Sequence, residues 1–224
     1  MRSSSATHAR QQVRHNDTMT LAAKAPEERR RRILSAAVEV LRDRGFAGTR
    51  VADIAAAAGT SPALVLYHFS SLNDVLLAAL TMSDEAFYAD LGSAPEDPRD
   101  RLARMGALAA AGGPAFGDWQ LYLEVWVRAR HDERIDAVRQ ELDARWRAAL
   151  VDMVEAGVAR GLFDSPSPRD AAVRLSSLMD GLAVQVVLGD PGMTNDRMVQ
   201  LWLTGAAREL HADADDLLAR AAVV

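Results

Sequence analysis

With 224 residues, 49% of them hydrophobic and 25% charged, the chain is long enough to bury one large core or two small ones. It contains no cysteine, which excludes disulfides, thiolate metal sites and cysteine nucleophiles. Residues 1–75 hold 11 Lys and Arg against 7 Asp and Glu, or +4, whereas the rest of the chain holds 15 against 24, or −9, so that only the amino-terminal end is expected to contact a polyanion.

Residues 1–25 lack hydrophobic periodicity and are predicted to form a disordered basic tail. Such a tail could contact a nucleic-acid backbone or remain solvated, and the sequence leaves both open. It lacks the apolar stretch of a secretory signal, and no run in the chain reaches the roughly 18 apolar residues of a membrane span. We therefore expect a cytoplasmic protein without a membrane partner.

Residues 26–91 are predicted to form one domain of three short helices and a longer one. Proline and glycine punctuate the pattern, and Thr49 is placed to cap the second helix. The predicted helices span about residues 26–45, 49–59, 61–69 and 72–92. The second and third helices are joined by a tight turn, which predicts a helix-turn-helix whose second member enters the DNA major groove. A three-helix unit that does not bind DNA is the alternative.

Helical patterns continue beyond the turn-rich stretch at residues 92–100. Further helices are predicted at about residues 98–110, 118–131, 133–160, 168–189 and 194–210. No stretch alternates as a strand would, so the predicted fold class is all-α. We assign residues 92–212 to a larger helical-bundle domain for ligand binding and dimerisation, joined to the first domain by its long helix, and residues 213–224 to a C-terminal tail.

The helix predicted over residues 168–189 is apolar around most of its circumference in its second half, which is typical of a helix buried on all sides. This helix and the next could pair with their symmetry mates in a four-helix dimer interface, and a central core helix is the alternative. The predicted interface residues are Leu178, Leu182, Val186, Met198, Trp202 and Gly205.

An aromatic stripe is predicted on the helix at residues 118–131, where three large rings recur on one face. Such a stripe is either core or one wall of a pocket between helices, and its rings suit a cation or a flat apolar molecule equally. The predicted ligand-binding residues are Trp119, Tyr122, Trp126, Trp146 and Met179.

The chain shows no pattern typical of an enzyme. Its five histidines are scattered, and it has no His-Glu-x-x-His motif, glycine-rich phosphate loop or G-x-S-x-G elbow. We therefore predict no catalytic residues, no metal and no cofactor. A helical-bundle enzyme or ligand carrier remains an alternative.

Residues 30–69, RRRILSAAVEVLRDRGFAGTRVADIAAAAGTSPALVLYHF, resemble the amino-terminal domain of TetR-family transcriptional regulators. The shared motifs are R-x-x-I-L-x-A-A, R-G-F/Y-x-x-T, I-A-x-x-A-G and S-x-x-x-[VL]-x-x-H-F. The stretch LMDGLAVQ at residues 178–185, together with Trp119 and Trp126, is similar to the branch that includes choline-responsive BetI-type repressors.

The resemblance implies a ligand-responsive repressor that reads a palindromic operator in double-stranded DNA as a homodimer and is released by a small effector. Leu66 and Leu72 stand where the family usually has a tyrosine and a lysine that contact phosphate, and His68 could instead be a packed or capping histidine. A DNA-binding architectural or regulatory protein without a small-molecule ligand is the alternative. The implied DNA contacts are Thr49, Arg50, Ser61, Pro62, Ala63, Leu64, Tyr67, His68 and Ser71.

Overall fold

The computed structural model describes residues 26–110 and 119–222, and every regular element in that part of the chain is an α-helix. The predicted tail at residues 1–25 and the loop at 111–118 lie outside the described residues. The all-α fold class is confirmed. The helices are α1 (residues 26–44), α2 (Val51–Ala57), α3 (Pro62–His68), α4 (Leu72–Leu91), α5 (Pro98–Ala110), α6 (Trp119–Ala129), α7 (Glu133–Ala159), α8 (Pro168–Val187), α9 (Asn195–Glu209) and α10 (Ala214–Ala221).

Helices α1 to α3 form a compact unit that we call the head, residues 26–71. Gly45 ends α1 because its φ of +67° belongs to the left-handed region, and its N–H donates to the Leu41 carbonyl at 2.8 Å. The prediction that Thr49 caps α2 is wrong, since the N-cap is Arg50, whose N–H donates to the Asp53 carboxylate at 2.8 Å. Thr49 is only 4% exposed, and its hydroxyl donates to the Gly45 carbonyl at 2.7 Å.

A tight turn joins α2 to α3, as the sequence predicts. Gly59 has a φ of +61°, and the Thr60 N–H donates to the Ala55 carbonyl at 2.9 Å. Ser61 then caps α3, because its Oγ accepts the Leu64 N–H at 3.2 Å. The head is held by fully buried side chains from all three helices and from the start of α4, namely Ile33, Leu41, Ile54, Val65 and Val75.

Helix α4 connects the head to the body, which comprises residues 98–222. Its 20 residues bury Val75 and Leu76 beside the head, and Phe87 and Leu91 beside the body. At about 1.5 Å per residue, such a helix is about 30 Å long. Helix α4 therefore has core residues along its whole length.

The body is a bundle in which α8 packs against α6, α7 and α9. Residues predicted to be a C-terminal tail include α10, which packs on α5 and α9 and fully buries Leu217. Arg99 of α5 pairs with Asp216 of α10 at 3.2 Å, and Arg220 pairs with Asp100. The prediction of a tail over residues 214–221 is thus corrected, because these ion pairs and one leucine stabilise a helix too short to show a clear period.

No single described helix is long and apolar enough to cross a membrane, although α3 and α4 together, bent by 65°, reach the required length and composition.

Candidate DNA-binding face and interior cavity

Helix α3 presents an outer face that packing within the subunit leaves open. Val65 and Phe69 face inward and are 0% and 4% exposed. Tyr67 is 82% exposed and Leu66 is 46% exposed, although both are large side chains that usually seek burial. Ser61, Pro62 and Ala63 are exposed as well, so the first turn and the Tyr67 side of α3 form one accessible surface.

The remaining predicted DNA contacts are less uniformly placed. Arg50 is exposed, and Leu64 and His68 are half-buried. The His68 ring packs edge-on against Tyr67 at 5.4 Å between centroids, and its Nε2 is buried without a hydrogen-bond partner among the described residues. The Ser71 hydroxyl accepts the Asp74 N–H at 3.1 Å and donates to the Asp74 carboxylate at 2.9 Å, so it caps α4.

Two members of the predicted set have hydroxyls that are engaged within the protein itself. Thr49 lies in the core of the head, where its hydroxyl bonds within its own loop, and the Ser71 hydroxyl is engaged at the start of α4. Neither hydroxyl faces outward as a free donor. Both residues instead fix the backbone on which the exposed side chains stand.

Helix α1 carries several basic side chains, and one of them reaches the end of α3. The Arg30 guanidinium stands 5.1 Å from the centroid of the Phe69 ring, which ends α3. Arg29 and Arg32 are exposed, while Arg31 pairs with Glu28 at 2.9 Å. The head thus carries exposed basic groups on α1, and Arg30 lies at the end of α3.

A small cavity of about 40 Å³ lies inside the body, between α4, α6, α7 and α8. Four of the five predicted ligand-binding residues are on its wall. Met179 is 0% exposed and belongs to the core beside the cavity, so it does not line the cavity as predicted. The lining residues are Asp84, Trp119, Tyr122, Trp126, Leu142, Asp143, Trp146, Arg147, Ser176 and Asp180.

The aromatic rings of the wall are held in fixed positions by their own neighbours. The Trp119 indole N–H donates to the Ala109 carbonyl at 2.9 Å, and its ring stands 5.6 Å from that of Tyr122. The Trp146 ring stands 5.6 Å from that of Phe87 on α4. Burial raises the pKa of Tyr122 well above its usual value, so its phenol stays neutral.

Three carboxylates share this aromatic cavity, and sequence reasoning missed them. Burial raises the pKa of Asp84 to about 6, although Arg145, whose Nη1 lies 2.6 Å from an Asp84 oxygen, opposes the shift. Burial also raises the pKa of Asp180 to about 6, with the charge of Asp143 adding to the rise and Arg147 opposing it. Asp143 itself pairs with Arg139 at 2.6 Å.

Two polar groups of the wall lack an internal partner. Asp180 forms no ion pair within the described part of the chain, and the Ser176 hydroxyl there has no hydrogen-bond partner although Ser176 is only 6% exposed. The Ser176 hydroxyl is buried, and a buried polar group without a partner is costly and usually awaits a ligand or water, whereas Asp180 is half-buried. Aromatic faces with nearby carboxylates are the environment that binds an organic cation.

Helical spacing is the one sequence signal that could have found these groups. Asp143 and Arg147 are four residues apart on α7, as are Ser176 and Asp180 on α8, and each pair flanks an apolar side chain. The pattern was missed because a charged pair at this spacing usually marks a solvated face.

Side chains of α6 and α7 also contact the head and the start of α4. The Arg128 guanidinium of α6 lies 3.6 Å from the centroid of the Phe46 ring, in the loop between α1 and α2. Arg134 at the start of α7 pairs with Asp74 at the start of α4, at 2.8 Å. The helix that carries the aromatic stripe therefore also contacts the head.

The predicted dimer residues divide into buried and accessible groups. Met198 and Trp202 are 0% exposed, and the Trp202 indole N–H donates to the Leu175 carbonyl at 3.0 Å, so these two belong to the core of one subunit and correct the prediction. Leu182 is also buried. Leu178, Val186 and Gly205 are half-buried and stay available to a partner.

Within the described ranges, no three histidine, aspartate or glutamate side chains are grouped so that they could hold a metal ion.

Two family profiles match the chain. "BetI-type transcriptional repressor, C-terminal" covers residues 98–211, and "Bacterial regulatory proteins, tetR family" covers residues 33–79.

Known proteins similar to this chain agree with the two profiles. The HTH-type transcriptional regulator BetI of Brucella anthropi is 26% identical over 186 residues, which are 71% of this chain and 94% of that protein. A transcriptional regulator from Saccharomonospora viridis, solved in complex with choline, is 31% identical with a TM-score of 0.73, covering 82% of this chain and 98% of that one. A TetR-family regulator from Rhodococcus sp. is 26% identical with a TM-score of 0.71, over 82% and 99% of the two chains.

Proposed function

Because this chain belongs to the TetR family of bacterial transcriptional regulators, we propose that it is a cytoplasmic, ligand-responsive repressor that binds a palindromic operator as a dimer and leaves it when a small effector binds. The observation that carries the proposal is that the head has an exposed α3 face while the body has a cavity whose wall includes polar groups without a partner. The α3 face would bind DNA, and the cavity would bind the effector.

DNA recognition is assigned to α3, which would lie in the major groove. The 82% exposure of Tyr67 leaves its ring and hydroxyl free to contact bases or backbone. Arg50 at the start of α2 would contact phosphate, and the basic side chains of α1 would add backbone contacts where Leu66 and Leu72 cannot.

Dimerisation is assigned to α8 and α9, because their accessible side would allow a helix of a second subunit to approach closely. Gly181 in the middle of α8 is exposed, and a Cβ built on it meets nothing within 4 Å in its own subunit. A helix-interior glycine with open space is destabilising by about 1 kcal/mol against alanine, so a reason outside the subunit is expected. A two-fold partner would supply that reason and would place two α3 helices on one operator.

The effector is proposed to be a compact organic cation such as choline. Tryptophan and tyrosine faces would surround its cationic group, Asp180 would be its counter-ion, and the Ser176 hydroxyl would meet a polar tail. The choline bound in the Saccharomonospora viridis regulator supports the same class. Since the cavity measures only about 40 Å³, choline can enter only if the surrounding helices move apart.

A DNA-binding protein without a ligand is the weaker alternative. In such a protein, carboxylates with pKa values raised to about 6 would destabilise the core with no gain. A ligand site explains why they are kept, as perturbed carboxylates cluster at functional sites.

The test begins with a footprint of the protein on its own promoter. We expect a palindromic protected site, bound by two subunits or a multiple of two, and progressive release as choline is added. Glycine betaine is the matched control, because it has the same trimethylammonium group but adds a carboxylate that the cavity wall would repel. Protection of a site without two-fold symmetry, or release by neither compound, would contradict the proposal.

A further inference from the structure

Two adjacent side chains of α7, Arg145 and Trp146, contact three residues of α4. The Arg145 Nη1 lies 2.6 Å from an Asp84 oxygen, and its guanidinium centre lies 3.9 Å from the centroid of the Tyr88 ring. The adjacent Trp146 ring packs against Phe87 at 5.6 Å. We call this group the α4–α7 clamp. It grips α4 beyond its midpoint, on the side of the body.

Asp84 stands between the clamp and the cavity. Its side chain is 3% exposed and lines the cavity, whereas Arg145 is 46% exposed and is not part of the cavity wall. Arg145 therefore reaches Asp84 from the solvent side, and a cation in the cavity would reach the same carboxylate from the inside.

The energetics of a buried carboxylate make these two positions alternatives. Removing the only nearby cation from a buried carboxylate is strongly unfavourable, because an uncompensated charge remains in a low-dielectric site. A cation in the cavity would supply the missing compensation. Arg145 could then leave at low cost, since nearly half of its side chain is already in water.

Building on the proposed function, we propose that Arg145 is the internal competitor of the effector: its guanidinium and the cationic group of the effector compete for Asp84, and loss of the Arg145–Asp84 pair frees α4 from α7. Asp180, which has no ion pair within residues 26–110 and 119–222 and feels the positive charge of Arg147 across the cavity wall, anchors the effector. Asp84 would couple binding of the effector in the cavity to movement of α4, because Asp84 belongs to the helix that connects the body to the head.

The other charged groups near the clamp do not provide the same connection. Glu85 and Glu141 act on Asp84 through charge alone, and both are exposed. Arg147 lines the cavity but pairs with no residue of α4. The Arg139 pairs, to Asp136 and Asp143, stay within α7.

The experiment compares Arg145→Gln with Arg130→Gln, which removes the same charge from an exposed position just after α6, outside the cavity wall. Choline binding is followed by tryptophan fluorescence, and operator binding by anisotropy of a labelled duplex. We expect Arg145→Gln to bind choline more tightly and to bind the operator about tenfold more weakly without choline, by the usual size of allosteric coupling. Arg130→Gln should change neither affinity.

Two further variants separate the clamp from a general loss of stability. Arg145→Lys keeps the charge and should restore most of the operator affinity. Asp84→Asn should match Arg145→Gln in choline-free operator binding, and the double variant should be no weaker than either one, because both remove the same pair. Full additivity of the two changes would overturn the inference.

Failure of the proposed function would look different. If choline does not quench the tryptophan fluorescence of the unmodified protein, the proposed effector class is wrong. The operator affinity of Arg145→Gln without choline then still decides whether the clamp holds the head. If choline binds and releases the operator but Arg145→Gln behaves as the unmodified protein does, the proposed function stands and the inference is overturned.

Discussion

At the scale of single residues, Asp180 shows how a functional side chain opposes stability. Because its pKa is raised to about 6, the folded protein holds the Asp180 proton more tightly than the unfolded chain does. Stability therefore falls as pH rises from the ordinary aspartate pKa through about 6, and the loss is complete at neutral pH. A side chain that weakens the fold at working pH is expected to serve binding.

Replacing Asp180 with asparagine should therefore stabilise the protein and impair effector binding. At pH 7.5 we expect Asp180→Asn to raise the free energy of unfolding by about 1 kcal/mol, since it removes a desolvated charge without changing shape. Thermal unfolding measures this, and the difference should shrink as pH falls to 5. Asp152→Asn, which changes an exposed aspartate of α7, is the control and should have little effect. A destabilised Asp180→Asn protein would contradict the assignment.

Effector affinity should depend on pH even when the effector cannot titrate. Choline keeps its charge at every pH, while the pKa values of Asp84 and Asp180 are both raised to about 6. Only the deprotonated carboxylates attract a cation, so choline affinity should rise between pH 5 and pH 7 and then level off. Fluorescence titration at each pH measures this. A flat profile would mean that neither carboxylate faces the cation.

Tyr67 should matter for DNA and not for folding. Because its side chain is 82% exposed, Tyr67→Ala should leave the free energy of unfolding within about 0.5 kcal/mol of the parent. Its loss should weaken operator binding by about 1–3 kcal/mol if the ring makes a specific contact. Val127→Ala, at 66% exposure on α6, is the control and should change neither quantity. Equal operator affinity for both variants would place α3 in a different register.

At the scale of helices, local signals predicted most of the fold. The predicted ranges 98–110 and 133–160 agree with α5 and α7, because turn residues and N-caps act within a few positions of each other. Helix α10 was missed since it depends on ion pairs to α5, a partner more than 100 residues away. The Thr49 cap was wrong for a similar reason, as the loop before α2 folds Thr49 into the core.

Periodicity alone could not assign the apolar residues of α8 and α9 to core or interface. Trp202 fills the space that Gly106 leaves, where an added Cβ would come within 2.7 Å of its ring, and only a tertiary structure shows that fit. Gly181 is the opposite case, an open position that the subunit does not use. The interface therefore remains a prediction that Gly181 can test.

Substituting Gly181 with glutamate should separate the subunits without unfolding them. The new side chain meets nothing within 4 Å in its own subunit, and glutamate favours a helix more than glycine does. Two glutamates related by the dimer axis would clash and repel. Sedimentation should show a monomer with intact helical content. Ala137→Glu, on an exposed position of α7, should stay dimeric. Two dimeric variants would move the interface away from α8.

At the scale of the whole molecule, the carboxylates of the cavity could not be predicted, because four helices build it. The aromatic stripe of α6 gave one wall, while Asp84, Asp143 and Asp180 come from α4, α7 and α8. Their meeting depends on how the helices cross, which no local pattern encodes. The same convergence makes the site useful, since an effector that spreads these helices acts on α4 and on the Arg128–Phe46 contact together.

Coupling between the two sites must be mutual, which gives a test of the molecule as a unit. An effector that lowers operator affinity by a given factor must bind the operator complex more weakly by that factor, since both quantities describe one thermodynamic cycle. For coupling of about 1–3 kcal/mol, the factor lies between about 5 and 150. Two choline titrations measure it, one on the free protein and one on the protein saturated with operator duplex.

The titrations also distinguish a coupled effector from a bystander. A ligand that fills the cavity without preferring one arrangement of α4 shifts no equilibrium, however tightly it binds. Trp126→Ala should therefore weaken choline in both titrations while the ligand-free protein keeps its operator affinity. Equal choline affinities for free and DNA-bound protein would show that the cavity and the α3 face are not connected. A ratio that matches the loss of operator affinity would show that the effector and the operator act on one shared equilibrium.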